Sequence, residues 1–275
     1  MTTPAAVALT IAGADSGAGA GIQADLKTFA AFGVYGVSAI TAVTAQNTLG
    51  VSAVHLVPAA VVGAQIDAVF DDFAVAAIKI GMLADAGIAE AVASRLRRIA
   101  AQNGPMRPFV VLDPVMTASS GDALSNEGLI DSLRTIMLPL VDCLTPNLPE
   151  AAALLGKAEA RDEATIIAQG RALIALGARA VLMKGGHLDS PEAVDLLATA
   201  DGVRRYSAKR IASSNLHGAG CTLSAAIAAG MALGEPLAEA TAAAKAFVAD
   251  AIEAGRVARL GRGRGPLIQR PWRGG

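Results

Sequence analysis

Short apolar runs alternate along this chain with longer stretches in which apolar residues recur at helical spacing. Residues 7–12, 37–43, 76–80, 110–112, 142–144 and 180–183 are nearly unbroken apolar runs bounded by glycine, proline or asparagine, as in strands covered on both faces. Between them, residues 22–31, 59–71, 86–101, 126–138, 164–176, 221–233 and 237–254 read as helices. In the second of these, Val61, Ile66, Val69 and Phe70 fall along one face and are expected to pack on a sheet. Residues 194–210 hold two short runs around Asp201-Gly202, a dipeptide suited to a hairpin turn. The alternation predicts an α/β fold with a largely parallel central sheet and helices on both sides. Glycines and prolines stand at element ends, with no low-complexity run or repeat, so residues 1–275 are expected to form one domain.

Nearly every polar or glycine-rich segment follows directly after a predicted strand: residues 13–21, 44–48, 81–82, 113–116, 145–150 and 184–187. In a parallel sheet such loops gather at the carboxyl ends of the strands, where α/β proteins bind ligands. Composition narrows the ligand. The chain is 53% hydrophobic and 17% charged, which excludes a disordered protein. Only 3% aromatic residues leave no stacking platform for single-stranded nucleic acid, and a net charge of −1 argues against a nucleic-acid or membrane-surface role. No apolar run approaches the roughly 20 residues of a membrane span. The start of the chain has no basic segment ahead of an apolar one, and Cys143 and Cys221 make no disulfide framework. A soluble, cytoplasmic protein without a nucleic-acid or membrane partner is expected.

The segments differ in chemistry. The glycines of residues 13–21 bring backbone N–H groups close to a ligand, although a tight strand-to-helix turn would use the same residues. The run carries neither a Walker lysine nor a dinucleotide fingerprint. His217-Gly218-Ala219-Gly220-Cys221-Thr222 leads into a long helix, whose unpaired N–H groups suit phosphate or a developing phosphoryl charge. At that end the Cys221 thiol is expected to have a lowered pKa, whereas Cys143, inside an apolar strand, is expected to be core packing. Asn147 and Glu150 stand three residues apart as a helix begins, and their oxygens suit Mg²⁺ or a plain helix cap. Lys184-Gly185-Gly186-His187 puts a cation beside glycines that let a phosphate approach; a solvated surface lysine is the alternative. His55, His187 and His217 have no zinc-site spacing. Arg256, Arg259, Arg262, Arg264, Arg270 and Arg273 mark the tail as a solvated, partly mobile end.

Taken in order, residues 8–15, 19–29, 40–48, 79–83, 111–116, 144–150, 183–187 and 215–224 resemble the hydroxymethylpyrimidine/phosphomethylpyrimidine kinases of thiamine biosynthesis, members of the ribokinase-like superfamily. The likeness runs over roughly residues 7–267 and implies a ribokinase-like three-layer α/β/α sandwich. It implies transfer of the ATP γ-phosphoryl group to 4-amino-5-hydroxymethyl-2-methylpyrimidine, then phosphorylation of the monophosphate to the diphosphate. By position, Asp25 and Gln46 would hydrogen-bond the aminopyrimidine, with Gly13, Ala20, Met82 and Val115 around the ring. Asn147 and Glu150, with Asp113, would hold Mg²⁺; Lys184, Gly185 and Gly186 would meet the ATP phosphates; and Gly218, Ala219, Gly220 and Cys221 would form the anion hole. A homodimer follows by analogy with the fold. Ala18 and Ala219 depart from the glycine and threonine more familiar in the family, and residues 263–268 lead to no histidine-rich finish.

Two rival readings share these residues. A pyridoxal or pyridoxine kinase would also phosphorylate a small aromatic heterocycle bearing a hydroxymethyl group. A pyrimidine-sensing binding protein would need none of Asn147, Glu150, Lys184 and Cys221.

Overall fold

The computed structural model describes residues 5–116, 127–186 and 192–272; residue 126, His187 and Arg273, named above, lie outside them. The described residues form one nine-stranded sheet. In chain order its strands are β1 (Val7–Asp15), β2 (Tyr35–Asn47), β3 (Gly50–Leu56), β4 (Val75–Ile80), β5 (Phe109–Leu112), β6 (Cys143–Leu144), β7 (Ala180–Lys184), β8 (Glu192–Thr199) and β9 (Gly202–Lys209). Across the sheet they run β3-β2-β1-β4-β5-β6-β7-β8-β9. The strands from β2 to β7 pair in parallel, while β3 at one edge and the β8–β9 hairpin at the other are antiparallel.

Alternation along the central strands decides the two faces. Leu9, Ile11, Ile78, Ile80, Val110 and Leu112 point to one core, against helices α2 (Ala59–Asp72), α3 (Ala86–Asn103), α4 (Glu127–Ser132), α5 (Leu148–Leu155) and α6 (Glu163–Ala175). The opposite positions, among them Ala8, Ala77 and Val111, are smaller and face α1 (Gly21–Ala31), α7 (Ala219–Ala232) and α8 (Leu237–Gly255). Small side chains on both sides let α7 lie close over β4 and β5, with Ala225, Ala226, Ala228 and Ala229 fully buried. That close approach carries the start of α7 to the carboxyl ends of the central strands. The three layers and the mainly parallel sheet are those expected.

Several local expectations change. Val61 is 48% exposed, and the buried positions of α2 are Val62, Gly63 and Ile66. Val69 and Phe70 are only partly buried. Strand β2 continues through Gln46 to Asn47 by pairing with β3, an edge strand whose residues are largely exposed and carry no apolar alternation. The helical path after α4 becomes a π turn over Leu133–Met137 and a 3₁₀ turn over Leu138–Leu140, where Pro139 cannot donate to a regular helix. Helix α7 begins two residues early because Gly218 takes φ +86° as its N-cap.

The C-terminal segment is strapped to the body rather than loose, while Arg256, Arg259, Arg262, Arg264 and Arg270 are exposed, as expected of a solvated tail. Asn215 Nδ2 donates to the carbonyls of Gly255 and Ala258 at 2.7 and 2.8 Å, and the Gly263 N–H donates to Thr48 Oγ1 at 3.1 Å. Gln269 Nε2 donates to Thr222 Oγ1 at 3.0 Å, and the Trp272 ring stacks on Phe32. No described helix is long and apolar enough to cross a membrane.

Candidate active site

A cleft of about 970 Å³ opens at the carboxyl edge of the sheet. Gly13, Ala20, Gln46, Met82, Asp113, Val115, Asn147, Glu150, Lys184, Gly186, Gly218, Ala219, Gly220 and Cys221 all line it. Segments more than 200 residues apart in the chain therefore meet around one cavity, as the order of strands and loops led one to expect.

Lys184, at the end of β7, is 14% exposed, so it is not a solvated surface lysine. Its Nζ lies 2.7 Å from Asp113 Oδ1 and 3.7 Å from Glu150 Oε2. Burial works against the ammonium, yet the Asp113 and Glu150 charges outweigh it and raise its pKa. Burial pushes Glu150 up to about 7, with Lys184 opposing and Asp113 adding to the rise. A Cβ on Gly220 would stand 3.2 Å from Lys184 Nζ and 3.5 Å from Asp113 Oδ2, so the first turn of α7 rests directly on this charged cluster. A Cβ there would require the Lys184 ammonium to shift by a few tenths of an ångström.

The anion hole is narrower than the motif implied. The Ala219 N–H donates to the Leu216 carbonyl at 3.2 Å and that of Thr222 to Gly218 at 2.8 Å. The N–H groups of Gly220 and Cys221 have no backbone acceptor among the described residues, and they are the ones left for an anion. Asn147 and Glu150 form a reciprocal capping box on α5: Asn147 Oδ1 accepts the Glu150 N–H at 2.8 Å, and Glu150 Oε2 accepts the Asn147 N–H at 2.7 Å. Both residues thus serve as the helix cap while lining the cleft.

Three expectations are corrected. Asp25 is fully buried beneath the cleft and does not line it. Its Oδ2 accepts from Thr10 Oγ1 at 2.6 Å and Lys79 Nζ at 2.8 Å, so the carboxylate is matched to an internal cation. Gly185 is also turned away from the cleft, its N–H donating to Asp195 Oδ1 at 3.1 Å. Burial, with the Asp25 and Asp113 charges, pushes the Cys221 thiol up to about 11 against nearby Lys79 and a Gly21 N–H, so the thiol is raised rather than lowered. Cys143 is core packing, as expected, with its thiol pushed by burial to about 12.

Iodoacetamide labelling of Cys221 should accordingly rise roughly tenfold per pH unit from 7 to 10, because only thiolate reacts. Peptide mass spectrometry would follow the rate, and a plateau below pH 8 would restore the lowered thiol.

Several site residues went unassigned from the sequence. Asp15, Thr44 and His217 lie inside the motifs but have no periodicity to single them out. Lys79 had a usable signal, a lysine within an apolar strand run, and it is 0% exposed at the cleft floor. Lys245 on α8 reaches Asp195 Oδ2 at 2.6 Å beside the cleft, and nothing in the alanine-rich helix marks it. No cluster of three or more histidine, cysteine or acidic groups poised for a metal occurs among the described residues.

Comparison with known proteins assigns the chain to a family. A sequence profile for phosphomethylpyrimidine kinase matches residues 15–268. The chain belongs to that family. It is 53% identical over 262 residues to the hydroxymethylpyrimidine/phosphomethylpyrimidine kinase of Rhizobium meliloti (strain 1021), covering 95% of this chain and 96% of the relative. Among solved structures, phosphomethylpyrimidine kinase from Clostridium difficile 630 is similar with a TM-score of 0.77 and 40% identity, over 90% of this chain and 99% of that one. An ADP complex of Bacillus subtilis pyridoxal kinase has a TM-score of 0.87 and 35% identity, over 98% and 99%. The fold of the family member described here is thus ribokinase-like, shared by both kinds of vitamin kinase.

Proposed function

We propose that the protein transfers the ATP γ-phosphoryl group to the hydroxymethyl oxygen of 4-amino-5-hydroxymethyl-2-methylpyrimidine, and then phosphorylates the monophosphate to the diphosphate, in thiamine biosynthesis. The observation that carries this reading is the shared cleft: the Gln46 amide, which can donate and accept, lines the same cavity as the start of α7 and Lys184. In the first step the alcohol oxygen forms a bond to the γ-phosphorus, the bond to the β,γ-bridging oxygen breaks, and ADP leaves. Charge on the transferring group meets the Gly220 and Cys221 N–H groups and the Lys184 ammonium. Such transfer is loose, so positioning and charge stabilisation supply most of the rate. Cys221 rests as a neutral thiol, so it takes the hydroxyl proton late and only through its minority thiolate form, which becomes the thiol; the backbone N–H groups rank above it.

The oxygens present fit a Mg²⁺ ion held mostly by phosphate and water. Asp113 and Glu150 offer carboxylates at the cleft, and the capping box takes only Oε2 of Glu150, leaving Oε1. Asn147 Oδ1 is already an acceptor within the cap, so Asn147 would act through water. The ion would neutralise triphosphate charge when bound.

A product assay by mass spectrometry with ATP, Mg²⁺ and the pyrimidine alcohol, scoring mono- and diphosphate separately, tests the reading; absence of both products sinks it. Cys221→Ala should lower kcat by about tenfold to a hundredfold with little change in ATP affinity. An unchanged chemical step in single-turnover kinetics would remove Cys221 from the mechanism. Pyridoxal kinase is the second reading, favoured by the near-complete superposition on the Bacillus subtilis enzyme. A hundredfold preference in kcat/KM for pyridoxal over the pyrimidine would reverse the order.

A further inference from the structure

We propose that Asp15 is a positioning residue for the phosphoryl acceptor: it accepts a hydrogen bond from His217 Nε2–H, leaves the Gln46 amide N–H groups to the heterocycle, and joins the two loops that hold acceptor and phosphoryl group. The inference rests on the function proposed above and names a residue acting through another.

Asp15 ends β1 and is 3% exposed. Its Oδ1 accepts the Gly17 N–H at 2.8 Å; its Oδ2 accepts those of Gly19 at 3.1 Å and Ala20 at 2.9 Å and lies 2.8 Å from His217 Nε2. Three of the four partners can only donate, and a carboxyl proton would find no acceptor among them. The group is therefore a carboxylate, and His217 Nε2 carries the proton between them. Burial alone would raise the Asp15 pKa, but the His217 and backbone hydrogen bonds outweigh it and hold it below the ordinary value.

This has a consequence for Gln46. Its Nε2 lies 3.5 Å from His217 Nε2, a nitrogen that is already a donor and has no lone pair to offer. The amide protons are left for a ring nitrogen in the cleft. The one Thr44 hydroxyl proton is shared between the Ala14 carbonyl at 2.9 Å and the Gln46 amide oxygen at 3.1 Å, which leaves that oxygen a second lone pair for an exocyclic amine. An aminopyrimidine presents that acceptor–donor pair on one edge. Asp15 thereby fixes which hydrogen-bonding edge the heterocycle meets.

The same carboxylate also fixes distance. A Cβ on Gly19 would lie 2.3 Å from His217 Cδ2, and one on Gly218 would lie 1.9 Å from the Gly19 carbonyl oxygen. The glycine loop after β1 and the loop before α7 thus touch backbone to backbone, with Asp15 as the hydrogen-bonded tie. Ring pocket and anion hole keep a set separation, which a loose transfer between two small groups requires.

The test compares Asp15→Asn, His217→Asn, Gln46→Ala and the Asp15→Asn/Gln46→Ala double variant with the natural chain. Acceptor KM and kcat come from steady-state turnover, affinity for a non-hydrolysable ATP analogue from calorimetry, and folding from thermal melts. Asp15→Asn should raise acceptor KM about tenfold or more, with nucleotide affinity changed less than threefold. His217→Asn, which keeps the three backbone hydrogen bonds of Asp15, should reproduce the rise even if Asp15→Asn folds poorly. The double variant should bind acceptor no worse than Gln46→Ala. Unchanged acceptor KM in folded variants, an equal loss of nucleotide affinity, or multiplying losses in the double variant would each overturn the inference while leaving the proposed function standing. A natural chain inert towards the pyrimidine alcohol would overturn that function and this inference with it.

Discussion

Lys79→Met should lower the stability of the folded protein by about 3–5 kcal/mol, the usual cost of removing one partner of a buried ion pair. Lys79 and Asp25 are both 0% exposed and 2.8 Å apart. Methionine fills much of the space but leaves the Asp25 carboxyl without its cation; burial raises its pKa even beside Lys79, and its Oδ1 already has no hydrogen-bond partner. The melting temperature should fall on the order of 10 °C. Lys79→Met with Asp25→Leu should recover more than half of the loss, because two apolar side chains need no solvation. The series also tests the correction at Asp25. If that carboxylate held the substrate, Asp25→Asn would raise acceptor KM and leave the melting temperature within a degree; the buried pair predicts a lower melting temperature instead.

The largest expected loss of activity follows Lys184→Met. It removes the ammonium that faces both Asp113 and Glu150 and that abuts the first turn of α7. Without it, kcat should fall by about 10²- to 10³-fold, the effect of deleting one charge-stabilising group at a transferring centre. Glu150, at about 7 with the cation in place, should move higher, since its nearest opposing charge is gone. The acid limb of the kcat/KM profile should therefore shift to higher pH, which initial rates between pH 5.5 and 9 would record. The sign for stability is separate: a carboxyl raised from 4.5 to about 7 favours the folded state fully below 4.5, and that contribution is lost as pH rises through 7. Lys184→Arg should recover little, because a planar fork does not replace a compact ammonium wedged beside Gly220. Activity in Lys184→Met within threefold of the natural chain would remove Lys184 from the phosphoryl path.

Much of this protein was legible before any coordinates. Apolar runs of strand length and helical spacing are local properties, so the parallel sheet, its helices and the gathering of loops at one edge could be read from the chain. The segments of the cleft were likewise marked by glycine, proline and asparagine after strands. Partnerships were not legible, because they depend on atoms that meet only after folding. Asp25 stands on a helix beside a promising loop, yet the fold hands it to Lys79 from β4; Cys221 stands at a helix start, yet burial and the nearby carboxylates raise its thiol pKa. β3 escaped notice because an exposed edge strand needs no apolar alternation, and Asp15 and His217, 202 residues apart, met only through the packing of α7 on the sheet. Chain order thus determined which segments reach the cleft, while desolvation and pairing in three dimensions decided which side chains are left to act there.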